Sequence, residues 1–152
     1  MELPVKTNPT LLAPWQPQLL SVLRIVCGYL FFLHGCAKLL HTPHVAMFDN
    51  LELFSLMGLA GVLELVGGFL ILIGLFTRPV AFILSGEMAV AYFMGHASRG
   101  TPLIPMLNQG DAAVLYCFAF LYLAAAGPGP WSVDAAVSTP AQRDRERDLI
   151  AQ

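Results

Sequence analysis

Apolar residues run through this chain in long blocks separated by short polar breaks. A soluble amphipathic helix or strand would instead disperse them at regular spacing. A helix needs about 20 apolar residues to cross a bilayer core about 30 Å thick. Four segments answer to that: about Leu19 to Leu40, Leu56 to Phe76, Pro79 to Gly95 and Asp111 to Ala126. Proline is tolerated at a first helical position, so Arg78-Pro79 predicts a tight turn between the second and third segments. The fourth stops at Gly127-Pro128-Gly129-Pro130. Pro4, Pro9, Pro14 and Pro17 argue against a helix in the first eighteen residues, because each removes a backbone donor and crowds the preceding turn. The expected fold is all-α: an integral membrane bundle of four transmembrane helices within residues 19–134, after an irregular segment 1–18 and before a charged tail 135–152.

Composition agrees with that pattern. Hydrophobic residues make up 57% of the chain and charged ones 12%, against about 25% charged in a soluble domain, so lipid is the solvent that suits its surface. A net charge of −2 and the lack of a basic patch interleaved with aromatics exclude nucleic acid as a partner. Cys27, Cys36 and Cys117 form no CxxC pair and suggest no disulfide framework. Lys6 stands alone among interrupting prolines, which is not the start of a secretory signal, so the first helix is expected to be retained. With four spans, Lys6, Arg78 and the tail residues Arg143, Arg145 and Arg147 share one side against Lys38 and Arg99, which predicts cytoplasmic termini. Trp15 and Trp131 flank the first and last spans, where interfacial aromatics belong.

Ionisable groups inside spans are costly, so each marks a structural pair or a functional site. Wound at 3.6 residues per turn, Arg24, Gly28, Phe31, His34, Gly35 and Lys38 form one stripe that should face the interior. Glu64 shares a face with Gly61, Gly67 and Gly68, small residues that admit a neighbouring backbone. Glu87 falls within roughly 6 Å of the same depth. These positions predict a buried cluster of Arg24, His34, Glu64 and Glu87, in which the carboxylates either neutralise Arg24 or bind a polar head group and carry protons. Lys38, close to a helix end, joins the candidates but is read first as snorkelling to the interface. Secondary candidates are Arg78, a turn and topology residue, and His96, Asn108 and Asp111 around the loop before the fourth helix. Asn108 or Asp111 is expected to cap that helix. Phe31, Tyr92, Met94 and Tyr116 are read as packing. No metal site is expected, since the Glu-x-x-His repeats of bundle di-iron sites are missing, and there is no haem, Walker, HExxH or GxSxG motif.

The ordered set Arg24, Gly28, His34-Gly35 and Lys38, then Glu64-x-x-Gly67-Gly68, Gly74-x-x-Thr77-Arg78 and Gly127-x-Gly129 with Ser132-x-Asp134 resembles the DoxX family over about residues 19 to 134. The resemblance implies a bacterial inner-membrane protein tied to respiratory or thiol redox chemistry and oxidative stress, with some relatives serving as subunits of quinone-linked oxidoreductases. It places Arg24, His34, Lys38, Glu64, Arg78 and Glu87 at the family's polar positions. A quinone is the expected cofactor, redox proteins and membrane lipid are the expected partners, and self-association and independent catalysis are left open. The leading expectation is a redox-accessory protein binding a quinone-like molecule. Its rivals are an assembly factor or structural subunit that docks through its glycine faces, and a small transporter, which the lack of a detectable inverted repeat disfavours.

Overall fold

The computed structural model describes residues 11–138. Most of the expected N-terminal segment, with Lys6, and most of the charged tail, with Arg143, Arg145 and Arg147, lie outside the described residues, as does the side chain of Arg99. All regular structure among the described residues is helical. Helix α1 spans Gln16–Leu39 and α2 spans Leu56–Ile73. Helix α3, Thr77–Ala91, runs on into a π turn at Tyr92–His96. The short α4, Pro105–Asn108, leads into α5, Asp111–Ala126, and the short α6, Val133–Val137, follows.

Two expected boundaries move. Helix α1 begins at Gln16, inside the segment from which proline was expected to exclude a helix, with Pro17 in its first turn. Amides there have no intrahelical partner, so the missing donor costs nothing. The turn between α2 and α3 lies at residues 74–76, ahead of the expected position. Gly74 ends α2 in the left-handed region (φ 72°), where it donates to Leu70 O and Ile71 O, and Phe76 is also left-handed (φ 51°). Arg78 and Pro79 therefore sit in the first turn of α3.

The helices pair antiparallel, α1 with α2 and α3 with α5. Glycine brings the first pair to backbone contact: a Cβ on Gly28 would stand 2.5 Å from Leu72 N, one on Gly68 2.5 Å from Phe32 N, and one on Gly35 would overlap the Leu65 backbone. In the second pair Ser85 Oγ donates to Cys117 O across the helices at 2.9 Å. The pairs meet through Phe31, which is 2% exposed and sets its ring 4.8 Å from Phe120 and 5.3 Å from Tyr116. Phe31, Tyr92 and Tyr116 are thus packing residues, whereas Met94 faces outward.

Burial is inverted relative to a water-soluble fold. Helix α1 buries Ser21, Arg24, Gly28, Gly35 and Lys38 and exposes Leu19, Val22, Leu23, Val26 and Leu30. Helix α2 buries Gly61, Glu64, Gly67 and Gly68 and exposes Leu59, Val62, Val66 and Phe69. Large apolar side chains outside and small or polar ones inside are what a lipid solvent selects. Among the described residues, two helices are long and apolar enough to cross a membrane: Ala13–Leu39, counted with its lead-in turn, and Leu56–Ile73. The helix Asp111–Ala126 is apolar but shorter.

Gly68→Ala should lower stability in mild detergent by about 1–3 kcal/mol, because the added methyl meets the α1 backbone. Gly86→Ala, with nothing within 4 Å of its Cβ, should instead raise stability by about 0.5–1 kcal/mol. Thermal unfolding followed by circular dichroism checks both, and equal effects at the two glycines would contradict this packing.

Candidate functional site

The glycine contacts set the register that brings the charged residues together. With Gly35 against the Glu64–Leu65 backbone, one turn further along α1 carries Lys38 to Glu64. Its Nζ lies 2.6 Å from Glu64 Oε1, with the side chains 10% and 5% exposed. Lys38 therefore turns inward instead of snorkelling outward. It is covered by Phe48 of the α1–α2 loop, whose ring centroid lies 5.8 Å from the ammonium. Gly67 faces Leu84 across the α2–α3 contact, with 2.7 Å between its would-be Cβ and Leu84 Cδ2. Three residues back along α2 and three forward along α3 stand Glu64 and Glu87, so antiparallel geometry sets them at one level. The Glu87 carboxyl is within Coulombic reach of both Glu64 and Lys38. Both Glu87 oxygens and Glu64 Oε2 are buried with no hydrogen-bond partner.

The expected cluster of Arg24, His34, Glu64 and Glu87 divides. Arg24 is fully buried near the start of α1, and its guanidinium is taken up by backbone carbonyls. Its Nη1 donates to Ile71 O and Leu72 O, each at 2.6 Å, Nε to Pro128 O at 2.8 Å, and Nη2 to Trp131 O. It therefore satisfies the open carbonyl end of α2 and ties it to the chain leaving α5. Arg78 does the same in the second pair, its Nη1 donating to Ala124 O at 3.2 Å and to Ala125 O. The counter-ion of Glu64 is thus Lys38, and the carboxylates do not neutralise Arg24. His34 lies on an exposed face, with Nδ1 2.8 Å from Leu30 O and its ring 6.4 Å from that of Tyr116.

The secondary candidates are structural in their contacts. His96 Nδ1 lies 3.1 Å from Asn108 O, and Asn108 donates to Tyr92 Oη at 3.3 Å. Neither Asn108 nor Asp111 caps α5: Gly110 is its N-cap, Asn108 Oδ1 accepts from Gly110 N at 2.9 Å, and Asp111 is exposed in the first turn. The residue that does cap by carboxylate is Asp134, which had no role assigned from sequence. Its two oxygens accept from Phe76 N at 2.8 Å and Thr77 N at 2.9 Å, closing the start of α3 from the far end of the described chain. Its signal was a lone acidic residue just beyond the Gly-Pro-Gly-Pro break, a context that places a side chain beside other helix ends.

A helical protein that exposes its large apolar side chains while burying a lysine and two glutamates is an integral membrane protein with an interior polar site. The DoxX family model matches residues 19–97. A protein of Haemophilus influenzae described as uncharacterized is 46% identical over 125 residues, 81% of this chain and 93% of that protein. The chain belongs to the DoxX family. No solved structure matches it.

Arg24→Lys should cost about 2–4 kcal/mol, since one ammonium cannot reproduce the fork and carbonyls lose their donors. Asp134→Ala should cost about 1–2 kcal/mol through loss of the cap. His34→Ala, at an exposed position, should change stability by no more than about 0.5 kcal/mol. Unfolding midpoints of the purified variants test the ranking, and an Arg24→Lys protein as stable as the parent would remove the latch role.

Proposed function

We propose that this protein is a four-span, multi-pass subunit of the bacterial inner membrane that serves redox chemistry by holding the head group of a quinone-like molecule at Glu64, Glu87 and Lys38. The observation that carries the reading is the set of buried, unpartnered carboxylate oxygens at one level, beside a lysine already paired. Buried polar atoms are nearly always hydrogen-bonded, and orphans mark places where a partner belongs. A small polar head group on an apolar body supplies one, and the apolar exterior provides its route through lipid. Glu64 and Glu87 bind and orient the head group and exchange protons with it, while Lys38 holds Glu64 in position. When bound, a quinone contributes two-electron, two-proton redox capacity; the electrons come from or go to a partner protein.

Family membership supports the membrane setting, and the inverted burial of α1 and α2 extends it to the α3–α5 pair, whose Phe82, Ile83, Leu115 and Phe118 are equally exposed. In this reading α3 reaches across with its π turn. The rival reading, docking to a larger protein through glycine faces, loses its surface, because Gly61, Gly67 and Gly68 face the chain's own helices.

Gently purified protein should yield near-stoichiometric quinone in organic extracts analysed by mass spectrometry. A Glu64→Gln/Glu87→Gln double variant that keeps its helical signal should yield none above a control membrane protein. If the parent also yields none and does not bind added quinone, the quinone reading fails. Reporter fusions at the two termini should both report the cytoplasmic side, and opposite sides would rule out four spans.

A further inference from the structure

The segment between α3 and α5 repeats, outside any long helix, the inverted burial of α1 and α2. Between Arg99 and Asp111 it carries no charged residue. Leu103 and Met106 are 92% and 72% exposed, with Ile104 and Leu107 exposed beside them. Its polar atoms turn the other way. Buried Tyr92 donates its hydroxyl to Pro102 O at 2.7 Å. Buried Asn108 donates Nδ2 to Thr101 O at 3.4 Å, and its Oδ1 accepts from Gly110 N at 2.9 Å. Within the segment Ile104 N donates to Thr101 O, Leu107 N to Ile104 O and Gly110 N to Pro105 O, each at 3.0 Å. Pro102 and Pro105 bring no amide that needs a partner. A loop in water has its backbone completed by solvent and needs no such internal pinning. Non-helical backbone in contact with a membrane does need it.

We infer that residues 102–107 form a membrane-binding surface, whose partner is the lipid leaflet at the end of the fold where α1 and α3 finish. This rests on the four-span reading above and adds how the second hairpin meets the bilayer. The hairpin is short: the 16 residues of α5 cover about 24 Å at 1.5 Å per residue, against a hydrocarbon core of about 30 Å. An uncharged apolar segment at its end makes up the difference. Exposed apolar side chains continue on either side of it, with Phe93 and Met94 on the π turn and Leu115 and Phe118 on α5, so the surface joins the one that faces lipid. A protein partner's site would carry aromatic or arginine anchors within a polar rim. Residues 102–107 hold neither; their side chains are aliphatic, proline or methionine. The α1–α2 loop at the same end differs, since it exposes His44 paired to Asp49 at 2.9 Å. An apolar surface of this kind sinks about 5–10 Å into the boundary between head groups and chains.

The experiment is fluorescence of single-tryptophan variants of the full chain in phosphatidylcholine vesicles. Lipids brominated near the head group or near the chain end quench inside the membrane, and iodide on both sides quenches in water. The background is Trp15→Phe/Trp131→Phe, at two exposed side chains. Leu103→Trp, Met106→Trp and Phe118→Trp each put the probe at an exposed apolar position, and circular dichroism checks that the helices are kept. Bromine near the head group should at least halve the emission at Leu103 and at Met106, while iodide leaves it nearly unchanged. The Phe118 probe, midway along α5, should lose most to bromine near the chain end. A probe at Leu103 or Met106 that iodide quenches more than bromine overturns the inference and hands the surface to a protein partner. Bromine quenching at Phe118 then leaves the four-span reading standing. If bromine reaches none of the three positions, both readings fall.

Discussion

The approach of α1 and α2 to backbone contact is the constraint on which the site depends. Gly28 and Gly35 on one helix and Gly68 on the other leave no room for a Cβ, and these contacts mark the register in which the helices mesh. That register decides that Lys38 meets Glu64 and that Phe48 can fold over the ammonium. In lipid the contact cannot draw on the hydrophobic effect, because the tails outside are as apolar as the side chains; it comes from close packing of backbones. The same small residues that make the contact keep bulky side chains out of the interior, which leaves space for charged ones.

The second constraint is that helix ends have carbonyls and amides to satisfy. Arg24 and Arg78 answer it at the carbonyl ends of α2 and α5, and Asp134 answers it at the amide end of α3. These residues are as buried or as conspicuous in sequence as the glutamates, yet their partners are main-chain atoms. An ionisable residue in an apolar segment therefore does not reveal by type alone whether it serves ligand or backbone. Here the partners separate the two: the arginines reach main-chain carbonyls, and the glutamates keep buried oxygens without a hydrogen-bond partner.

Much of the helical layout was legible, because apolar block length and the break at Gly127 are local signals, although the turn expected at Arg78-Pro79 lies at residues 74–76. The interior position of Glu64 also followed from its glycine neighbours. What could not be read was pairing across the fold. Lys38 is 26 residues from Glu64, and near a helix end the outward and inward rotamers are equally compatible with its sequence context. His34 lies four residues from Lys38, yet the small angular difference between them separates an exposed position from a buried one. Asn108 and Asp111 looked like caps, but a glycine took the position because Asn108 turned back to hold the loop. Among the described residues α3 and α5, of 15 and 16 residues, are shorter than the two helices long and apolar enough to cross a membrane.

The arginine latches also bear on the order in which the molecule is completed. Arg78 finds its carbonyls within its own hairpin. Arg24 finds only part of its set there; its remaining acceptors, Pro128 and Trp131, lie 104 and 107 residues downstream. Chains are made from the N-terminus, so the guanidinium on α1 lacks part of its hydrogen-bond set until the segment that follows α5 arrives. Translation must pass Trp131 before Arg24 has its full set of acceptors, so α1 is completed by residues made about a hundred positions after it.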